Sequence, residues 1–141
     1  MESKNPDVKF ALKYLPFKTP NYQVAIEYYP KLDVIRVVAS MGTGKNLKDN
    51  YKKKTEAEQT EINGLFSKPI RRRSFSSMIA ADFASVEGYK ILIQQNLNSQ
   101  QLLDTVGEAV FLIQDVAVLL VEADQSLKVP KASDAAKSMF G

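Results

Sequence analysis

The chain of 141 residues contains no cysteine and no histidine. Without cysteine there is no disulfide and no thiolate metal site. Without histidine the commonest general base and the commonest transition-metal ligand are missing, so no Ser-His-Asp or Cys-His nucleophile can be assembled. Long uninterrupted apolar runs are missing too. The most apolar stretch, residues 106–121, is broken by Glu108 and Asp115, which argues against a transmembrane span. The segment Met1 to Asp7 is polar and has no apolar centre of the signal-peptide kind. A cytoplasmic location, or the interior of a virion or other intracellular assembly, is the resulting expectation. No catalytic residue, metal ligand, cofactor or small-molecule substrate is indicated, and a non-enzymatic role is expected.

What is present is an ordinary globular composition, 45% apolar and 25% charged, on a chain long enough to bury a core of its own. The charge is divided. Residues 1–74 carry 15 Lys+Arg against 8 Asp+Glu, net +7, whereas residues 75–141 carry 4 against 8, net −4. A basic half and an acidic half separate a polyanion-facing surface from a packing or assembly element.

The hydrophobic pattern changes along the chain. Val8, Phe10, Leu12 and Tyr14 alternate with polar residues, as do Tyr22, Val24, Ile26 and Tyr28, the period of half-buried strands. Residues 32–40 are more continuously apolar and β-branched, like a central strand. Residues 45–61 read as a polar loop or frayed helix. Residues 62–73 read as a fourth strand at an edge, because Pro69 cannot donate to a ladder. A helix is expected over about 77–96 and a second over about 100–124, with Ser99 as its cap. The fold class expected is therefore α+β: an antiparallel meander of about four strands, then two helices packed on one face. Residues 1–125 form one expected domain, with strands within about 7–73 and helices within about 76–124. Residues 126–141 form an expected flexible C-terminal tail.

Four features invite a functional reading. Residues 39–46, Ala-Ser-Met-Gly-Thr-Gly-Lys-Asn, follow a strand like a phosphate-binding loop. Ala39 stands where its first glycine belongs and Asn46 where its metal-binding hydroxyl belongs, so nucleotide hydrolysis is not inferred. The basic residues Lys52, Lys53, Lys54, Lys68, Arg71, Arg72 and Arg73 could supply sequence-independent phosphate contacts, or form a solvated edge that discourages aggregation. Lys9, Lys13, Tyr29 and Arg36 are expected on an exposed sheet face beside them, and most other strand aromatics in the core. In the second helix Glu108, Asp115 and Glu122 recur every seven residues, forming a stripe that is solvated or meets lysines of a second subunit. The rest of that helix is apolar over most of its circumference and calls for cover on several sides. Val106, Val110, Ile113, Ala117 and Leu120 are accordingly expected to mediate homo-oligomerisation.

Two functions fit. One is a self-associating protein that binds single-stranded or flexible nucleic acid through its basic loops. The other is a structural or assembly subunit of a larger protein complex, such as a virion, secretion machine or scaffold, that binds no nucleic acid.

Overall fold

The computed structural model describes residues 10–93, 95 and 97–124, with only the backbone described at Phe10 and Ala11. Three strands come first: β1 (Phe10–Tyr14), β2 (Tyr22–Tyr29) and β3 (Val34–Gly42). Two helices follow, α1 (Lys45–Lys52) and α2 (Glu56–Arg72). A hairpin of β4 (Ser76–Ile79) and β5 (Ser85–Ile93) returns to the sheet, and α3 (Ser99–Ala123) completes the fold. The sheet is antiparallel, in the order β1-β2-β3-β5-β4. The expected α+β class is the one observed.

Strand alternation assigns the two faces. Val24 of β2, Val37, Ala39 and Met41 of β3, and Val86 and Leu92 of β5 join one core cluster with residues of all three helices. From α3 the cluster takes Ala109, Leu112, Ile113, Val116 and Leu120, and from α2 it takes Phe66 and Ile70. Gly88 lies in the middle of β5 on this face. A Cβ there would come 2.9 Å from Ile70 Cγ2 and 3.2 Å from Leu112 Cδ1, so its missing side chain lets α2 and α3 seat against the sheet.

Several expected elements are corrected. Of the two alternatives for residues 45–61, loop or frayed helix, the helical one is observed, as α1 and the start of α2 joined by a short turn. Leu47 and Tyr51, one turn apart, are buried along α1. Residues 62–73 are not a strand. They continue α2, whose start is fixed by a capping box in which Glu58 N–H donates to Thr55 Oγ1 (3.2 Å) and Thr55 N–H to Glu58 Oε1 (3.0 Å). Glu56 and Glu58 in its first turn, with Arg71 and Arg72 in its last, complement the helix dipole. Pro69 is accommodated close to the end of α2, where its missing N–H costs a single ladder bond. Residues 77–96 are not a helix, since most of them build the β4–β5 hairpin. The second expected helix is present as α3, capped by Asn98, whose Oδ1 accepts from Gln101 N–H at 2.8 Å, rather than by Ser99. The expected C-terminal tail lies outside the described residues.

Candidate functional site

Alternation turns a second set of side chains away from the helices. Register aligns them in rows across the sheet: Tyr29, Val34 and Ile93; Glu27, Arg36 and Ile91; Lys13, Ala25, Val38, Tyr89 and Ser76; Gln23, Ser40, Glu87 and Met78. None of these residues belongs to the core cluster. An antiparallel sheet with one solvated face normally places polar residues there. Here Ile91 is 54% exposed, Ile93 60% and Met78 48%. Val38, in the middle of the central strand β3, is only 5% exposed although it lies outside the helix-packed core.

At the centre of this face Glu27 and Arg36 stand directly opposite each other on β2 and β3. Arg36 Nε donates to Glu27 Oε1 at 2.8 Å, and its Nη2 pairs ionically with the same oxygen at 2.8 Å. The Tyr29 hydroxyl donates to the same oxygen at 3.1 Å. The guanidinium lies over the rings of Tyr29 and Tyr89, 5.7 and 5.5 Å from their centroids. A planar, weakly hydrated cation stacked on aromatic rings and tied to a carboxylate is held in one orientation. Glu87 lies two rows away, beyond the row of Val38 and Tyr89. Burial pushes its carboxyl above the ordinary glutamate value; Arg36 pulls it back, and Glu27 pushes it up again. Among the described residues, Lys13 and Arg36 balance Glu27 and Glu87 on this face.

Of the residues expected to contact nucleic acid, Lys13, Tyr29 and Arg36 do lie on this face, the last two committed to Glu27. Lys9 lies outside the described residues. Lys52, Lys53 and Lys54 are exposed at the α1–α2 turn. Lys68, Arg71 and Arg72 are respectively exposed near the far end of α2, a helix about 25 Å long. These two groups do not form one patch. Arg73 is engaged within the chain: its Nε donates to Asp115 Oδ2 at 2.7 Å and its Nη1 to Glu108 Oε2 at 3.0 Å, and its guanidinium lies 5.6 Å from the Phe111 ring centroid. Two members of the carboxylate stripe therefore meet an arginine of their own chain.

Val106, Val110, Ile113, Ala117 and Leu120 are buried in the core of the chain itself, with Ile113, Ala117 and Leu120 at 0% exposure. The sheet and α2 cover them, so they need no second copy. The large apolar side chains that α3 leaves exposed are Leu103, Phe111 and Val118. The glycine-rich segment after β3 leads into α1 through Gly44, at φ +89°. The Thr43 hydroxyl there is buried and donates to the Phe83 carbonyl oxygen, an internal tie. A cleft of about 700 Å³ between α1, α2 and the end of α3 has Tyr51, Phe66 and Phe83 in its wall and both signs of charge at its rim, in Lys53, Lys54, Glu58 and Glu122.

Sequence reasoning missed Met78, Glu87, Tyr89, Ile91 and Ile93 because it made their segment a helix. The signal was there: residues 85–93 alternate, with Val86, Gly88 and Leu92 on one phase and Tyr89, Ile91 and Ile93 on the other. Among the described residues, no cluster of acidic side chains could hold a metal ion, and no helix is long and apolar enough to cross a membrane.

No protein-family model matches the sequence, and no curated protein matches it. Among solved structures, the chain is similar to the crystal structure of an uncharacterized protein from Methanothermobacter thermautotrophicus. The TM-score is 0.67 at 12% identity, over 87% of this chain and 87% of that one. At that identity the likeness is one of fold.

Proposed function

We propose that this chain is a non-enzymatic assembly subunit and that the open face of its sheet docks a protein partner. The observation that carries this reading is the stack of Tyr29, Arg36 and Tyr89 beside exposed Ile91 and Ile93. Tyrosine and arginine are enriched where binding energy concentrates, and apolar neighbours exclude water around them. Prior fixation of the guanidinium by Glu27 and two rings reduces the ordering cost of association. The balanced charge favours a protein surface over a polyanion, which needs uncompensated cations.

The test is photo-crosslinking in the cell from which the chain comes, with a benzoyl-phenylalanine at position 91 and a control at the exposed helix residue Leu65. A defined protein adduct from position 91, absent from position 65 and abolished by Arg36→Glu, supports the reading. Equal labelling from both positions, or none from position 91, refutes it. Oligonucleotide binding at low salt that is lost on changing Lys52, Lys53 and Lys54 to Ala would instead support the nucleic-acid reading.

A further inference from the structure

We infer that the occupant of the open sheet face is a second copy of this chain, packed face to face about a two-fold axis lying between the sheets. This rests on the assignment of that face as a docking surface and names its partner.

The first argument is charge. An isologous contact presses a surface against itself, so a face of one sign repels its copy. Among the described residues, Lys13, Arg36, Glu27 and Glu87 give this face two cations and two anions. A second exposed apolar strip, Leu103, Phe111 and Val118 on α3, has Asp104, Glu108, Asp115 and Glu122 along one flank. Against them stands the single cation Arg73, which lies over Phe111 and pairs with Glu108 and Asp115, so the flank keeps an acidic excess. A copy of α3 would meet like charge there.

The second argument is area. Five strands of four to nine residues, spaced about 4.8 Å apart and rising about 3.4 Å per residue, present roughly 600 Å². Two copies would cover about 1,200 Å², the lower bound of stable, specific interfaces. An open sheet face of that size suits a second sheet, and two sheets packed with side chains between them are a standard layered arrangement. An interface at the lower bound implies a dimer that dissociates on dilution.

The test is sedimentation equilibrium of the purified full chain from micromolar to hundreds of micromolar. The probes are two variants at exposed positions, Ile91→Asp with Ile93→Asp, and Phe111→Ser, with thermal melts to check that both fold. A concentration-dependent dimer is expected. Its dissociation constant should rise about 100-fold or more in the double variant and stay within about threefold in Phe111→Ser. A monomer at every concentration overturns the inference, as does a dimer that persists in the double variant or is lost in Phe111→Ser. The two levels of the reading fail separately. A position-91 crosslink to a different protein, with the pure chain monomeric, removes the second copy and leaves the docking face. No crosslink and no dimer removes both.

Discussion

Glu87 shares the open face with Ser40 on one side and Met78 on the other, and burial raises its carboxyl above the ordinary glutamate value. The folded chain thus keeps this proton over a pH range in which the unfolded chain has released it. The associated stability is complete below the unfolded pKa and is lost as pH rises through the folded one. Glu87→Gln removes the cost of charging a half-buried group. The variant is expected to match the parent in acid and to melt at a higher temperature near neutral pH, the gap opening as pH rises. Melting temperatures across the acid-to-neutral range check this, and a gap independent of pH contradicts it. Arg73 illustrates another effect at this scale. Its basic neighbours in sequence are solvated, but Glu108 and Asp115 hold it 2.7–3.0 Å away, so adjacent residues of one charge run have different roles.

The seating of helices on the sheet depends on Gly88. A methyl group at this position meets the Cγ2 of β-branched Ile70 at 2.9 Å, a contact that α2 or the side chain must shift to relieve. Gly88→Ala is expected to destabilise the chain by about 1–3 kcal/mol, read by urea denaturation, despite the usual gain from replacing a glycine in a strand. The elements were legible in sequence to different degrees. β2, β3 and α3 follow from unambiguous periods. The identities of 62–73 and 77–93 were exchanged, helix for strand and strand for helix, because each segment is short and mixed in pattern. For α2, Pro69 outweighed two better signals: the capping box at Thr55 and Glu58, and the four-residue spacing of Ile62, Phe66 and Ile70. For β5, Ile79, Phe83 and Val86 imitate a helical stripe. Phe83 in fact lies at φ +60° in the β4–β5 turn, stacked on Tyr51 with centroids 4.8 Å apart. That conformation is rare for a bulky residue and has no local sequence signature.

Over the whole molecule, composition and the change of pattern were enough to indicate a sheet covered by helices on one face, although the order of elements differed from that expected. The open sheet face was less legible, because it is assembled from all five strands and can be read only once their register is known. The placement of β5 between β3 and β4 also bears on how quickly the chain folds. β2 and β3 are joined by the four residues between Tyr29 and Val34, whereas the β3–β5 seam first pairs Gly42 with Ser85. Closing that longer loop costs about 2 kcal/mol more than closing the short turn. The two hairpins can form early, and zipping their seam is the step that limits the folding rate. Val86→Ala, at the seam, is therefore expected to slow refolding, and Leu47→Ala, in α1, mainly to speed unfolding. Chevron plots of the two variants separate these limbs, and equal effects on both would place the barrier elsewhere.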